Sequence, residues 1–325
     1  MVIDAHIIRQ MAHEAGFDLV GFAEASSLEH EAQALRGWVN NGYHAGMAYM
    51  GRNIDRKADP AQVLPEVKSV IVLGMNYYSG EHHTKDETTG KISRYAWGTD
   101  YHLIFETKMQ ELSKRISELE NTWKAVSYVD YGPTMDKVWA VRAGFGWMGK
   151  HTNIINREFG SWFFIGTIFS NLPIYSNDQV VADHCGSCTA CLDACPTGAF
   201  PAPYQLDANK CISYLTIEHK GEIPETFENQ FEGWLFGCDI CQEVCPWNKK
   251  FSKPSNEPLF FPRAGNAQLP LASVISMEEN EFRQRFEGSP VKRTKLKGLQ
   301  RNARHLMKEN ERQTDTAGLN PNRKK

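Results

Sequence analysis

Cysteine is missing from the first 184 residues of this 325-residue chain and from its last 80. No apolar run approaches the ~18 residues of a membrane span, so no membrane association is expected. The opening stretch MVIDAHIIRQMAHEAGFDLVGF carries His, Arg and Glu through its apolar part and offers no small-residue cleavage site. It does not read as a signal peptide, and the expected location is the cytoplasm. The Walker spacing of a phosphate loop is absent. The eleven histidines show no metal-ligand spacing, and His82-His83 lies in a polar stretch that reads as solvated. Extensive disorder is excluded too, because 41% of the residues are hydrophobic and the net charge is only −3. The length leaves room for two or three domains.

That small net charge hides an asymmetry. From Arg283 to the end there are 13 Lys or Arg against 4 Asp or Glu, and the rest of the chain has 23 against 35. A basic arm on an acidic body is compatible with polyanion binding, and equally with a solvated helix that frays at its end.

What is present is a concentration of thiols. Cys185, Cys188, Cys191, Cys195, Cys211, Cys238, Cys241 and Cys245 share one window. Without a secretion signal, thiols stay reduced, which argues against disulfides. Zinc is the serious alternative for paired CxxC units. The spacing Cys185-x2-Cys188-x2-Cys191-x3-Cys195-Pro196 is instead the bacterial ferredoxin run. Three close thiolates there wrap one 4Fe–4S cube, and the fourth, before proline, reaches the other cluster. Cys238-x2-Cys241-x3-Cys245-Pro246 repeats the pattern, with its first member displaced to Cys211. The crossing rule assigns Cys185, Cys188, Cys191 and Cys245 to one cluster and Cys195, Cys211, Cys238 and Cys241 to the other. Such a pair makes an electron relay but binds no substrate, so the remaining residues must hold whatever the electrons serve.

Hydrophobic periodicity predicts helices over residues 5–16, 28–40, 102–120 and 134–143, and strands over 18–23, 69–77, 125–129 and 161–169. Residues 79–92 read as a loop. Short helices are expected around residues 196–198 and 211–218, then near 277–285 and 296–308, with a disordered last dozen residues. The alternation argues for an α/β or α+β domain over residues 1–178. Residues 179–255 form a ferredoxin-like two-cluster module, and 256–325 a short helical, basic C-terminal segment. The overall fold class is α+β.

Gly144-Phe145-Gly146-Trp147-Met148-Gly149-Lys150 spells G-x-G-x-x-G-K, but without the strand-then-helix setting or the distant acidic residue of a dinucleotide fingerprint. Close backbone approach to a large planar ligand is the functional reading preferred for it.

Several blocks resemble a known family. Arg94-Tyr95-Ala96-Trp97-Gly98-Thr99-Asp100-Tyr101-His102 is similar to a segment of epoxyqueuosine reductases. So are Val129-Asp130-Tyr131-Gly132-Pro133, the stretch Arg142 to Lys150, Gly160-Ser161-Trp162-Phe163-Phe164, Cys211 to Thr216, and Gly237-Cys238-Asp239. The resemblance runs in order to about residue 305.

It implies an N-terminal α/β cobalamin-binding domain related to that of reductive dehalogenases, two 4Fe–4S clusters, and base-off cobalamin. It also implies an oxidoreductase that reduces epoxyqueuosine to queuosine at the wobble position of tRNA. On this resemblance Asp130 is the proton donor. A carboxyl acting as an acid near neutral pH needs its pKa raised by burial, which the end of an apolar strand permits. Asp136 is the competitor, expected to face solvent. Ser93, Asp130, Ile154, Ile165, Ser213 and Asp239 are implied cobalamin neighbours, with Lys57 or Arg56 before Asp59-Pro60. Lys220, Arg293, Lys295, Lys297, Arg301 and Arg304 are expected tRNA contacts, through phosphates that give affinity without reading sequence. The expected partners are tRNA and an external low-potential electron donor, and the protein is expected to be a monomer. Two rivals remain: a cobalamin-dependent reductase of a small molecule, and a non-catalytic ferredoxin-type carrier.

Overall fold

The computed structural model describes residues 4–263 and 265–318. Its strands are β1 (Leu19–Glu24), β2 (Ser69–Asn76), β3 (Thr89–Ile92), β4 (Ala125–Tyr128), β5 (Trp147–Met148), β6 (Ile154–Ile155), β7 (Phe163–Ser170), β8 (Trp234–Phe236) and β9 (Gln268–Pro270). Strand β2 is buried along its whole length because both of its faces are apolar. Ile71, Leu73 and Met75 face the core under the helices Ala5–Glu14 and Tyr101–Leu119, with Ile8, Phe105 and Leu112. The alternate residues Val70 and Val72 face a second core with Leu28, Ala32, Trp139 and Phe169. Helices therefore cover both sides of a four-stranded sheet of order β1-β2-β7-β4.

Every ladder of that sheet is antiparallel. The alternation of strands and helices left α/β and α+β open, and this pairing is that of an α+β protein, which corrects the α/β domain implied by the resemblance. A third core gathers Trp97, Phe231, Trp234, Phe236, Phe286 and Leu299. Strand β3 lies in the stretch read as a loop; it pairs parallel with β8 and antiparallel with β9. Four residues in a polar setting give too little periodicity to announce a strand. His83 was read as solvated, but its Nε2 lies 2.9 Å from the carbonyl of Ile92 and its ring meets the edges of Trp97 and Trp234. Residues 196–197 form a turn closed by Gly198 at φ 58°, and the helix lies earlier, at Ala190–Asp193. The final helix runs from Lys295 to Gly318, into the stretch expected to be disordered; residues 319–325 lie outside the described residues. Among the described residues no helix is long and apolar enough to cross a membrane.

Candidate active site and metal centre

The cysteine window folds as two loop-helix units. Cys185, Cys188 and Cys191 lead into the helix Ala190–Asp193, and Cys238 and Cys241 into Ile240–Glu243. Lys150, which ends the glycine-rich run, pins the first loop by donating to the carbonyls of Gly186 at 2.6 Å and Cys188 at 2.9 Å. Cys245 packs beside Cys185, Trp147 and Trp247. The electrostatic partners of Cys191 are Cys245, Cys185 and Cys188. Those of Cys238 are Cys241 and Cys211, and Cys211 in turn feels Cys195. Cys195, Cys211, Cys238 and Cys241 also line one small pocket.

Burial, then repulsion from neighbouring cysteines, pushes Cys191 up to about 11 and raises Cys238 and Cys241 as well. Thiolates crowded in this way fit a cationic iron–sulfur core, which would hold them deprotonated. Backbone N–H groups already point at the sulfurs, from Ser213 and Tyr214 to Cys211 and from Trp247 and Asn248 to Cys245. Among the described residues no three His, Cys, Asp or Glu side chains converge on a point that one metal ion could take.

Asp130 follows β4 on the loop Asp130-Tyr131-Gly132-Pro133, with φ 57°. Tyr101, at the start of its helix, donates from Oη to Asp130 Oδ2 at 2.6 Å. Asp130 is exposed, contrary to the burial expected of it, because the loop leaves the sheet at this point. Asp136 differs from expectation as well, since it turns inward instead of facing solvent. Its Oδ1 accepts from Thr167 Oγ1 at 3.0 Å and from Thr134 Oγ1 at 3.3 Å, and the backbone N–H of Asp130 also points to it. Burial, then the charge of Asp130, pushes Asp136 up to about 7. Lys137 next to it is pushed down by desolvation, and its Nζ donates to the carbonyl of Thr152 at 2.9 Å and to Asn153 Oδ1 at 3.0 Å. Asp130, Cys241 and Asp136 all act on its charge.

Ser93 and Asp239 meet in a buried pair. Ser93 Oγ and the Arg94 backbone N–H both donate to Asp239, which burial pushes up to about 6. Ile154 is buried and Ile165 half-buried against one apolar cluster, with Met148 and Met135. Lys57 donates to the carbonyl of Met50 at 3.0 Å. The neighbouring Tyr49 ring lies under Arg293, 5.9 Å from its guanidinium, and feels Asp130. Lys57 therefore stands on the same rim as the aspartate, whereas Arg56 is exposed.

The basic residues divide. Lys220, Lys295, Lys297 and Arg304 are exposed. Arg293 is paired with Glu218 at 2.8 Å. Arg301 is withdrawn from the phosphate-contacting set. It is buried, and its guanidinium donates to the carbonyls of Leu215, His219 and Gly221 and to Asn302 Oδ1, which occupies all five donors. The glycine run also has another cause. A Cβ on Gly146 would stand 1.9 Å from the carbonyl oxygen of Ile155, so the close approach is to the chain's own β5–β6 hairpin.

Sequence reading missed Tyr101, Lys137 and His151 as members of this region. Tyr101 stood inside a block already noted for its resemblance, and Lys137 adjoins Asp136. Buried His151 accepts from the Asn153 N–H at Nδ1, 3.1 Å away, so its proton sits on Nε2. There it finds no acceptor among the described residues.

Two thiol quartets set against a helix-covered sheet define an iron–sulfur protein of the double-cluster class. A family model described as "4Fe-4S double cluster binding domain" matches residues 184–248, and one described as "Epoxyqueuosine reductase QueG, DUF1730" matches residues 57–131. The epoxyqueuosine reductase of Cellulophaga algicola is 44% identical over 91% of this chain and 95% of its own length. That of Leadbetterella byssophila is 45% identical over the same shares. Among solved structures, an epoxyqueuosine reductase with an epoxyqueuosine-modified tRNA-Tyr stem loop has a TM-score of 0.87 at 31% identity, over 94% of this chain and 80% of that one. The Bacillus subtilis enzyme, captured with its catalytic aspartate loop swung out of the active site, scores 0.86 at 30% identity, over 94% and 81%. The chain belongs to the epoxyqueuosine reductase family, oxidoreductases of queuosine biosynthesis.

Proposed function

We propose that this chain reduces epoxyqueuosine to queuosine at the wobble position of tRNA, with Asp130 as proton donor. The net reaction breaks both C–O bonds of the epoxide, forms a C=C bond, consumes two electrons and two protons, and releases water. The observation that carries the reading is the Tyr101–Asp130 hydrogen bond, beside Lys137, on whose charge both Asp130 and the cysteine Cys241 act. The two cysteine quartets would hold 4Fe–4S clusters, whose chemistry would be single-electron transfer from an external low-potential donor. Base-off cobalamin, when bound, supplies the reduced cobalt that carries the reducing equivalents to the epoxide.

The residues present suit such a ligand. Half-buried Ile165, over buried Ile154, offers an apolar contact to a macrocycle, half-buried Ser213 and Lys57 offer polar ones, and the buried Ser93–Asp239 pair stands behind. The Nε2 proton of His151 lacks an acceptor, which a peripheral amide carbonyl would provide. Asp130 delivers its proton to the departing epoxide oxygen. Tyr101 fixes the direction of its carboxyl, and Asp136 holds the loop through the Asp130 N–H. A wobble base splayed from the anticodon loop covers the exposed aspartate and shuts out water. Lys220, Arg293, Lys295 and Lys297 take phosphates. In this reading residues 1–178 carry the cobalamin site, 179–255 the clusters and 256–325 the basic arm, in a monomeric cytoplasmic enzyme.

The test is anaerobic turnover of an epoxyqueuosine-containing anticodon stem-loop with and without added cobalamin, read by mass spectrometry of the nucleosides. Cobalamin-dependent loss of one oxygen is expected. No conversion by protein with intact clusters and bound cobalamin would favour a small-molecule reductase. Failure to bind cobalamin would favour a plain electron carrier.

A further inference from the structure

We infer that the face around the exposed edge of the first cysteine quartet docks an acidic protein that delivers one electron at a time. This rests on the reading of that quartet as a 4Fe–4S cluster. Cys188 is exposed, whereas its quartet partners Cys191 and Cys245 are buried. Beside it lies an aromatic patch continuous with the ligands. Trp247 packs against the cluster of Trp147 and Cys245, with its ring 4.8 Å from Trp147, 6.0 Å from His184 and stacked at 5.3 Å on Phe251.

A cationic rim surrounds the patch. Arg157 reaches His184 at 2.5 Å, Lys250 stands 5.0 Å over Phe251, and Lys253 stands 4.4 Å over Phe159. Lys249 is exposed on the same short helix, Pro246–Phe251, and its charge reaches Cys245. Of the nearby acids, Glu158 lies 3.8 Å from Lys253, and Asp183 is engaged by Tyr204 and by the Cys185 N–H. The body of the chain before Arg283 is strongly acidic, so a concentration of cations here is a local inversion of charge. Such a patch steers an acidic partner and suits a brief encounter better than a lasting interface.

The chemistry selects the donor. A cluster accepts one electron, so a hydride carrier cannot discharge into it directly. A flavodoxin hydroquinone can: it becomes the semiquinone while one cluster passes from the 2+ to the 1+ state. Two such encounters supply the two electrons of one epoxide reduction. RNA is the other polyanion available, but the exposed cluster ligand stands on this face, and the rim beside Asp130 already carries Arg293 and Lys57.

The test follows cluster bleaching anaerobically by stopped flow, with an acidic flavodoxin hydroquinone and separately with dithionite. The variants are Lys249→Glu/Lys250→Glu/Lys253→Glu and, as a milder change, Arg157→Glu. Expected are a tenfold or greater fall in the flavodoxin rate for the triple variant, a smaller fall for Arg157→Glu, loss of salt dependence, and dithionite rates within twofold of the unmodified protein. Unchanged flavodoxin rates, or equal falls with both reductants, overturn the docking site. So does a loss of stem-loop affinity with the flavodoxin rate intact, which gives the face to RNA. Absence of any bleaching by dithionite in the unmodified protein would instead remove the cluster reading itself.

Discussion

Tyr101 gives its hydroxyl proton to Asp130 Oδ2 across 2.6 Å and so ties the start of the long helix to the loop that follows β4. The tyrosine is itself held, stacked on Phe164 at 4.2 Å and on His102 at 4.1 Å. Burial, and then the charge of Asp130, push its phenol far above its usual range. It therefore stays protonated at any working pH and remains a donor to the carboxylate.

On the proposed reading, Asp130→Asn keeps clusters and cobalamin but lowers turnover by roughly a hundredfold or more, the usual yield of a positioned acid. Tyr101→Phe removes the hydrogen bond that orients the Asp130 carboxyl, a contribution of about 0.5–1.5 kcal/mol, so a loss of roughly two- to tenfold is expected in kcat with KM little moved. Single-turnover kinetics with iron content measured in parallel checks both. Near-normal rates in Asp130→Asn would take that residue out of the reaction.

Asp136 gives a pH test. Its folded pKa is raised to about 7, so between the ordinary carboxylate range and 7 the folded state holds a proton that the unfolded chain has lost. The stability this brings is complete at about pH 4 and is lost as pH rises through 7. Asp136→Asn does not titrate. Its melting temperature relative to the unmodified protein should therefore be more favourable at pH 8.5 than at pH 5.5. A difference independent of pH would mean that Asp136 is ionised throughout.

The double-cluster module was legible because cluster-binding cysteines are set by local spacing. Strand β2 and the helix Tyr101–Leu119 were legible through periodicity. What stayed hidden depends on distant chain. Arg301 reads as one more cation on a basic helix until residues 215–221 fold over it. Asp136 reads as a surface acid until Thr167 of β7 meets it, 31 residues on. The glycine run looked like a ligand cradle because the partner of Gly146 is a carbonyl, which no sequence pattern reports.

Gly146 can be tested directly. A methyl group there meets the Ile155 carbonyl oxygen at 1.9 Å, and backbone must move to relieve it. Trp147, next in the chain, packs on Cys245. Gly146→Ala should destabilise the fold by roughly 3 kcal/mol or more and reduce the iron retained per chain. Denaturant midpoints and an iron assay read the two effects, and normal values for both would show that the hairpin relaxes freely.

Arg301 and the exposed cations make opposite predictions from the same type of charge. Arg301→Ala strips partners from three carbonyls and from Asn302, at a cost of about 3 kcal/mol, so it should lower the melting temperature by several degrees. It releases no counterions from RNA, so the slope of log affinity against log salt should not change. Arg293→Ala/Lys295→Ala/Lys297→Ala should leave melting almost unmoved, because these side chains are exposed and the Arg293–Glu218 pair contributes little at the surface. It should weaken stem-loop binding and reduce that slope by about 2, from three phosphate contacts at roughly 0.7 each. Fluorescence anisotropy of a labelled anticodon stem-loop at several salt concentrations separates the cases. A slope altered by Arg301→Ala but not by the triple variant would reverse the assignment.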